Sequence, residues 1–365
     1  MKIVLVVPTL TSGGAERMAS MWAAGFSARN HEVSVITTNR PSPITYPVPS
    51  TVKLYNCNPE KGGNRYLNYL RTRLFGAMKL RHILKNINPD VVICIFRIEM
   101  VLAACRGLNC KVVATEHNAF ERPEGAPPIP NYLYKQKFFY NKKADLVTVL
   151  ATADKIVIGD RLPNVHVLPD ALAFEPVTTV PNKKNILLAV GRIDGWYVKG
   201  FDVLIRAWSK VRNKFPDWSL HIVGHSPDNS IDKLKRIAEE SNVSNQVEFL
   251  PYRKDVIQVY KEASVFCLSS RYDGFGMALI EAMSQGCACI ACDYKGRQKE
   301  IIKDERYGLL CAQGDENALA ATIDRVLSDE GLRLSLQQNA PQRASYYKLD
   351  NIMDKWDNLL STLFV

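Results

Sequence analysis

The sequence predicts a chain of two α/β domains, each a doubly wound parallel sheet with helices on both faces. Three observations lead to this fold class. The length of 365 residues suits two domains of ordinary size. Short runs rich in Val, Ile and Leu alternate with longer amphipathic segments, which is typical of parallel strands covered by helices. The alternation pauses in a proline-containing stretch near the middle of the chain and then begins again.

The first domain is predicted to cover residues 1–172. Its opening apolar run is too short for a secretory leader, so we interpret it as a buried first strand. Clear helical patterns cover 14–29 and 66–87. The predicted strands are 2–7, 33–37, 91–96, 111–114 and 146–149.

A linker is predicted over 169–184, because three prolines interrupt the pattern there. The second domain then covers 173–345, and a helical segment at 346–365 is predicted to pack back on the first domain. Ligands bind such sheets at the carboxyl ends of the strands, so we expect the site in a cleft between the domains. The predicted strands are 186–190, 219–223, 247–250, 264–268, 287–291 and 308–310, and the predicted helices are 203–215, 231–241, 254–262, 276–285 and 315–328.

Composition excludes several classes of protein. Hydrophobic residues make up 47% and charged residues 23%, which excludes a disordered chain and a collagen-like chain. The nine cysteines are odd in number and scattered, so a secreted disulfide framework is not expected. Cys289 and Cys292 have metal-ligand spacing, but they lie in a predicted buried strand without a second pair or a histidine, and we interpret them as buried thiols. No apolar run is long enough to cross a bilayer, and we expect a cytoplasmic protein.

Positive charge is concentrated in the first half of the chain. The net charge is +10, and residues 1–175 hold 22 Lys and Arg against 13 Asp and Glu. The densest stretch, 61–85, has no acidic residue and carries apolar residues at helical spacing. It is either a basic helix that lies on an anionic membrane or binds a phosphorylated partner, or a core-facing helix with a solvated basic side. No nucleic-acid partner is expected, because no zinc-finger, RRM or KH pattern occurs. The cations are Lys61, Arg65, Arg71, Arg73, Lys79, Arg81 and Lys85.

Glycines follow the first predicted strand. Gly13 and Gly14 allow a tight turn at the start of the next helix, where free N–H groups and the helix dipole favour an anion. The pair matches neither the dinucleotide fingerprint nor a Walker A loop. A plain strand–helix turn is the alternative interpretation.

Two cations flank the loop after the strand 186–190. Arg192 and Lys199 lie in Gly-Arg-Ile-Asp-Gly-Trp-Tyr-Val-Lys-Gly-Phe-Asp. A guanidinium fork and an ammonium can together clamp a diphosphate. Ordinary surface charge is the alternative.

A third motif spans 269–286. Asp273 precedes the glycine-rich turn Gly274-Phe275-Gly276, which exposes N–H groups to a ligand at a helix N-terminus. Glu281 follows in the first turns of that helix, where its carboxylate can accept hydrogen bonds from vicinal sugar hydroxyls. Taken alone, Glu281 is equally well interpreted as a surface residue of the helix.

In this order, the segments resemble family 4 of the retaining glycosyltransferases, which have the GT-B fold of two Rossmann-like domains. The resemblance runs nearly end to end. It also includes Glu116-His117-Asn118 and the Asp-Glu-Asn-Ala-Leu-Ala of 315–320. It implies that Gly13 and Gly14 face the donor phosphates and the transferred sugar.

The resemblance implies further roles. Arg192 and Lys199 would bind the diphosphate and stabilise it as it leaves, and Glu281 would hold the ribose hydroxyls. Tyr252 and Arg253 would line the base pocket. His117 would lie near the sugar and the acceptor.

Two positions depart from the family pattern. The family usually has Glu where Asp273 stands, and Asp is shorter by one methylene. Leu168-Pro169-Asp170-Ala171 replaces the usual Pro-Asn-Gly or Pro-Asn-Pro. We therefore expect Asp273 to position the donor sugar, and Asp170 to face the cleft.

The resemblance implies retention at the anomeric carbon and transfer from a UDP-sugar, with a GDP-sugar left open. We expect no metal cofactor, because an Asp-x-Asp motif is absent and the two cations with the helix N-terminus can stabilise the leaving diphosphate. The expected acceptor is a lipid-linked pyrophosphate or a growing bacterial surface glycan, with the enzyme peripheral on the inner face of the cell membrane. A sugar-nucleotide epimerase and a non-catalytic nucleotide-binding subunit remain as alternatives. A dehydrogenase is excluded by the missing dinucleotide fingerprint.

Overall fold

Two structural units, each built on one parallel sheet, make up the chain. The computed structural model describes residues 1–11, 13–58, 65–122, 129–253 and 255–365. One unit comprises Met1–Ala171 with Leu349–Val365, and the other comprises Leu172–Lys348. The predicted domain boundaries, after residues 172 and 345, lie one and three residues from the boundaries of these units. The roles assigned to the two domains remain predictions.

The sheet of the first unit has seven parallel strands. They are β1 (Lys2–Val7), β2 (Glu32–Thr37), β3 (Lys53–Asn56), β4 (Val91–Ile95), β5 (Lys111–Glu116), β6 (Leu146–Val149) and β7 (Val165–Val167). Their order is β3-β2-β1-β4-β5-β6-β7. Leu5 of β1 is in register with Val35 on one side and Ile93 on the other. The central strands are buried on both faces, which explains their continuous apolar runs.

Helices cover this sheet. They are α1 (Gly14–Ala28), α2 (Arg65–Ile87), α3 (Ile98–Cys105), α4 (Asn131–Tyr134) and α5 (Thr152–Ile158). A π-helix, Lys135–Tyr140, directly continues α4, and a 3₁₀ turn, Asn141–Lys143, follows it. Leu80 and Leu84 of α2, Val101 of α3 and Phe138 of the π-helix pack in one core cluster, so these elements cover the same part of the sheet.

The sheet of the second unit has six parallel strands in the order β10-β9-β8-β11-β12-β13. The strand bounds are β8 (Lys184–Val190), β9 (Ser219–Gly224), β10 (Val247–Pro251), β11 (Ala263–Leu268), β12 (Ala288–Asp293) and β13 (Leu309–Ala312). The chain order reverses between β8 and β11. This switch point is where ligands bind open α/β sheets.

The helices of the second unit carry an apolar face toward the sheet. Trp208 is buried in the core with Leu204 and Ile323. Asp315 caps its helix by accepting hydrogen bonds from the N–H groups of Asn317 and Ala318. The helices are α6 (Trp196–Lys199), α7 (Phe201–Val211), α8 (Ser230–Glu240), α9 (Val256–Glu262), α10 (Met277–Ser284), α11 (Arg297–Ile302), α12 (Glu316–Ser328) and α13 (Glu330–Ala344).

The last helix, α14 (Leu349–Ser361), belongs to the first unit. The Trp356 ring contacts Trp22 of α1 with 5.1 Å between ring centroids. Gly25 of α1 permits this packing, because a Cβ there would lie 2.6 Å from Cγ of Met353. At the edge of the contact, Nε of Arg29 pairs with Oδ2 of Asp357 at 3.1 Å.

The structure confirms the predicted alternation and differs from it in detail. The helix predicted at 203–215 ends at Val211 and is followed by a 3₁₀ turn, Arg212–Lys214. The edge strands β3 and β7 were missed. β3 is short and largely exposed, so the apolar pattern that indicates a buried strand is weak there.

Candidate active site

The loops that follow β8 and β9 pack backbone against backbone at the carboxyl edge of the six-stranded sheet. A Cβ on Gly224 would lie 1.8 Å from the carbonyl oxygen of Gly191, so only glycine fits there. The N–H of Ile193 donates to the carbonyl of His225 at 2.9 Å. The start of the Arg192–Lys199 loop is therefore held by its neighbouring strand.

The end of that loop is held by the segment that follows β11. The N–H of Arg271 donates to the carbonyl of Val198 at 2.8 Å, and the hydroxyl of Ser269 donates to the carbonyl of Lys199 at 2.9 Å. Gly200 has φ of 64°, and a Cβ on it would lie 2.0 Å from the carbonyl oxygen of Ser269. These contacts place Lys199 beside the Asp273 turn.

A partly buried ion pair reinforces the same junction. The guanidinium of Arg271 donates to both carboxylate oxygens of Asp202, at 2.7 and 2.8 Å, and stacks 4.1 Å from the centre of the Tyr197 ring. The hydrogen bond to Asp202 raises the pKa of Arg271 above its ordinary value. Neither residue was predicted from the sequence. Their positions in the sequence could have indicated them, because Arg271 lies two residues before Asp273 and Asp202 lies three residues after Lys199.

Lys199 and Asp273, which the sequence assigned to the site separately, form an ion pair. Nζ of Lys199 lies 2.7 Å from Oδ2 of Asp273, and both side chains are about three-quarters buried. The N–H of Gly274 donates to Oδ1 of Asp273 at 2.9 Å. Asp273 therefore holds an ammonium group at the mouth of the glycine-rich turn.

Arg192 also has a carboxylate partner. Its guanidinium donates to Asp194, with Nε 3.1 Å from Oδ1, while 76% of the side chain remains exposed. This hydrogen bond raises the pKa of Arg192 and lowers the pKa of Asp194. Both cations that the sequence assigned to a diphosphate are thus paired, and an incoming anion would compete with Asp194 and Asp273 for them.

The glycine-rich turn leads directly into α10. Gly276, with φ of 107°, is the residue at the N-terminus of the helix, where the dipole is positive. The ring of Phe275 is buried against Tyr347, with 5.5 Å between ring centroids. Phe275 therefore anchors the turn through its side chain, and only its backbone is placed to face a ligand.

Glu281 lies on the buried side of α10, with 5% of the residue exposed, so the surface interpretation of this carboxylate is wrong. The hydroxyl of Tyr260 in α9 donates to Oε2 of Glu281 at 3.0 Å. Nζ of Lys183 donates to the carbonyls of Tyr260 and Gln285, at 2.9 and 2.8 Å, and so joins the ends of α9 and α10. Burial lowers the pKa of Lys183.

We expect Tyr260→Phe to raise the donor KM about tenfold with a small change in kcat, because a hydrogen bond to a charged group contributes roughly 1.5–3 kcal/mol. If Glu281 binds ribose, the variant will also discriminate less between UDP and 2′-deoxy-UDP in a binding titration. Tyr347→Phe, which removes another buried hydroxyl of the same unit, is the control. Unchanged discrimination would contradict the positioning role of Tyr260.

Tyr252 and Arg253 follow β10, which is the edge strand beside β9. Both side chains are exposed. The geometry leaves them accessible to a ligand at the carboxyl edge, and their contact with a base remains a prediction.

The first unit presents its own candidate residues at the carboxyl ends of β1 and β5. Gly13 has φ of 114° and is the N-cap residue of α1, as the glycine pair predicted. The carboxylate of Glu16 folds over this turn, and a Cβ on Gly13 would lie 2.3 Å from its Oε2. Burial raises the pKa of Glu16. The place predicted for an anion thus holds a carboxylate of the chain itself, which must move or be protonated before an anion binds.

His117 follows β5, and its side chain is 6% exposed. Nδ1 lies 3.3 Å from Oδ1 of Asp170, and the ring stacks at a tilt on Trp22, with 5.5 Å between centroids. Within the described ranges, neither ring nitrogen of His117 has a hydrogen-bond partner, and neither does Oδ1 of Asp170. Asp170 therefore lies close to the imidazole without a hydrogen bond to it, and both ring nitrogens remain unpaired among the described residues.

A buried ion pair holds the loop that carries His117. Nζ of Lys137 lies 3.2 Å from Oε2 of Glu116 and donates to the carbonyls of Asn118 and Ala119, at 3.1 and 3.3 Å. The amide of Asn141 donates to Oε1 of Glu116 at 2.7 Å. From the sequence, Glu116 was only part of a motif, and Lys137 was not predicted, because a lysine in a stretch of surface lysines gives no sign of burial.

Two family models match the chain and together account for nearly all of it. The model described as Glycosyltransferase Family 4 matches residues 12–175, and the model described as Glycosyl transferases group 1 matches residues 172–343. The chain is a family 4-type glycosyltransferase.

Relatives of this glycosyltransferase match over its whole length. A Campylobacter jejuni protein named GalNAc-alpha-(1->4)-GalNAc-alpha-(1->3)-diNAcBac-PP-undecaprenol alpha-1,4-N-acetyl-D-galactosaminyltransferase is 27% identical over 99% of this chain and 98% of its own. The amylovoran biosynthesis glycosyltransferase AmsD of Erwinia amylovora is 27% identical over 98% and 99%. The sucrose-phosphate synthase structure from Thermosynechococcus elongatus superposes with a TM-score of 0.83 at 20% identity, over 100% of this chain and 99% of that one, and the fold is GT-B.

The glycosyltransferase also has a strained backbone that the sequence did not reveal. Phe96 and Arg97 have φ of 72° and 61°, a left-handed conformation that is rare for residues other than glycine. They directly follow β4, which lies between β1 and β5 in the sheet. Such strain is concentrated at functional sites, so Arg97 joins His117 and Gly13 as a candidate at this edge.

Cys289 and Cys292 lie on β12, and residues three apart on a strand point to opposite faces. The two thiols therefore cannot bind one metal ion. Cys292 instead lies 3.5 Å from Cys311, sulfur to sulfur, and the hydrogen bond with Cys311, together with burial, raises the pKa of Cys292. In the part of the chain that the structure describes, no His, Cys, Asp and Glu side chains group as three or more potential metal ligands. The same part contains no helix with the length and apolar character to span a bilayer.

Proposed function

We propose that this glycosyltransferase moves a sugar, with retention, from a UDP-sugar to a glycan or lipid-pyrophosphate acceptor in bacterial polysaccharide synthesis. The observation that carries the proposal is the Lys199–Asp273 ion pair at the switch point of the six-stranded sheet. It places an ammonium group beside the N-terminus of α10, the helix that also carries Glu281. The acceptor class is supported by the names of the Campylobacter and Erwinia relatives.

In the proposed reaction, the bond between the anomeric carbon and the diphosphate oxygen breaks, and the acceptor oxygen bonds to that carbon on the same face. The acceptor proton passes to the departing phosphate oxygen, so no separate base is needed. Negative charge grows on the diphosphate as it leaves. Lys199, Arg192 and the N-terminus of α10 would stabilise this charge without a metal ion.

Asp273 has two roles in this proposal. Before the donor binds, it holds Lys199 in place. When the diphosphate replaces Asp273 as the partner of the Lys199 ammonium, the Asp273 carboxylate becomes free to bind the hydroxyls of the donor sugar. Glu281, fixed by Tyr260, would accept hydrogen bonds from the ribose hydroxyls.

Two of the cations at 61–85 bind carbonyls of the chain itself, so fewer of them can face a membrane than the sequence suggested. Arg81 donates to the carbonyls of Ala104 and Arg106 at the end of α3, and Lys79 donates to the carbonyl of Asn58 at 2.7 Å. Lys85 is exposed. Lys61 and the side chains of Arg65 and Arg73 lie outside the described residues. A peripheral position on the membrane remains part of the proposal.

A donor panel tests the function. The purified protein is incubated with each UDP-sugar and GDP-sugar in EDTA, and the released nucleoside diphosphate is measured. We expect EDTA-insensitive release of UDP from one donor, and the anomeric configuration of the product by NMR tests retention. Conversion of the donor into another nucleotide sugar would indicate the epimerase, and UDP binding without turnover of any donor, even with lipid-pyrophosphate acceptors, would indicate a binding subunit.

A further inference from the structure

The first unit exposes three aromatic rings on the segment between β5 and β6, and the proposed chemistry uses none of them. Tyr132, Tyr134 and Phe139 are 69%, 53% and 56% exposed. The lysines among and just after them, Lys135, Lys142 and Lys143, are exposed as well. These six residues are called the aromatic–lysine surface below.

The charge of residues 130–144, the part of this segment that carries the surface, has one sign. No Asp or Glu occurs from residue 130 to residue 144. The ammonium of Lys143 lies 4.5 Å from the centre of the Phe139 ring, so a cation and an exposed ring stand side by side. The surface therefore offers both an apolar contact and a site for negative charge.

Buried hydrogen bonds and an ion pair hold the segment that carries this surface. The π-helix turns Lys137 inward, where it pairs with Glu116, while Phe139 points outward. Asn141 donates to the same carboxylate. The rings are thus exposed on a segment fixed by buried hydrogen bonds, and their exposure does not follow from a loose loop. π-helical turns frequently mark functional sites.

An anionic bilayer fits this surface better than a protein does. Aromatic side chains and lysines are both enriched where proteins meet the membrane interface, whereas lysine is depleted at protein–protein interfaces. The basic helix α2 packs over the same core cluster as Phe138, so it lies on the same face of the sheet. Phe75 and Met78 of α2 are also exposed, at 50% and 65%.

We propose that the aromatic–lysine surface docks the first unit on an anionic lipid bilayer, with Tyr132, Tyr134 and Phe139 in the headgroup region and the three lysines against the lipid phosphates. Glu116 joins this surface to His117, its neighbour in sequence, so docking holds the candidate acceptor edge at the lipid. Docking on a bilayer would bring the enzyme to the lipid-linked acceptor of the proposed function. Only this purpose of the docking rests on the proposed function.

Flotation with vesicles of one-quarter phosphatidylglycerol in phosphatidylcholine tests the proposal on the full chain. Each cation near an anionic surface strengthens binding roughly fivefold. The triple variant Lys135→Gln, Lys142→Gln, Lys143→Gln is therefore expected to bind about 100-fold more weakly. A second triple variant, Tyr132→Ser, Tyr134→Ser, Phe139→Ser, removes the apolar contact and is expected to lose binding while keeping the charge.

The matched control removes three exposed cations from α8 of the other unit, as Lys233→Gln, Lys235→Gln, Arg236→Gln. It is expected to bind within about twofold of the wild type, since these charges lie outside the surface. UDP titration of every variant checks folding and tests the donor site separately from docking. Equal binding by both surface variants and the wild type, equal binding to pure phosphatidylcholine, or full competition by a single-stranded oligonucleotide would each overturn the proposal.

Discussion

Replacing Lys199 by methionine is expected to lower kcat for sugar transfer about 10²–10³-fold, the usual loss when one group that stabilises developing charge is removed. Methionine keeps much of the length of the side chain and removes the charge. The ion pair with Asp273 shows that the ammonium is held in place before the donor arrives. Its loss also leaves the Asp273 carboxylate unpaired beside the incoming diphosphate, which adds repulsion.

The matched control is Lys210→Met. Lys210 forms a similar ion pair with Glu316, with Nζ 2.8 Å from Oε1, on the surface of the same unit. We expect its kcat to stay within about twofold of the wild type, because exposed ion pairs contribute little. If Lys199→Met had a melting temperature and a kcat equal to those of the wild type, Lys199 would not stabilise the leaving group.

Replacing Lys137 by methionine is expected to lower the free energy of unfolding by about 3–5 kcal/mol, the cost of removing one partner from a buried ion pair. The side chain is 5% exposed, and its loss leaves Glu116 with a buried, uncompensated charge. The carbonyls of Asn118 and Ala119 lose their donor at the same time. Urea unfolding followed by tryptophan fluorescence measures the change.

Lys142→Met is the control, because Lys142 lies five residues further on and is exposed. Its unfolding free energy is expected to change by less than about 0.5 kcal/mol. The double variant Lys137→Met, Glu116→Gln removes both charges and should recover part of the lost stability. A Lys137→Met protein as stable as the Lys142→Met protein would show that the buried pair does not hold the His117 loop.

The candidate residues that the structure brings to the carboxyl edge of the six-stranded sheet are those whose signal is local, and their roles remain predictions. A strand that ends in glycine, or a glycine pair before a helix, indicates a loop at the carboxyl edge of a sheet without knowledge of distant residues. Arg192, Lys199 and Asp273 were found in this way, and the structure adds that the last two form one ion pair.

The residues that the sequence missed act through long-range contacts. Tyr260 is one of fifteen tyrosines, and its bond to Glu281 depends on how α9 and α10 pack. Asp202, at the start of α7, and Arg271 meet only because β8 and β11, the strands before them, are neighbours in the sheet. The position of the Glu16 carboxylate over Gly13 could not be predicted for a different reason. A motif shows which residues are present, but not which side chain folds over the turn.

Calorimetric titration of UDP into the full chain in EDTA tests the central claim most directly, namely that the carboxyl edge of the six-stranded sheet binds a nucleoside diphosphate without a metal ion. We expect binding at one site in the wild type, and at least about tenfold weaker binding in Glu281→Gln, which loses a charged acceptor for the ribose hydroxyls. Absence of binding to UDP and GDP, or binding that appears only when Mg²⁺ or Mn²⁺ is added, would contradict it.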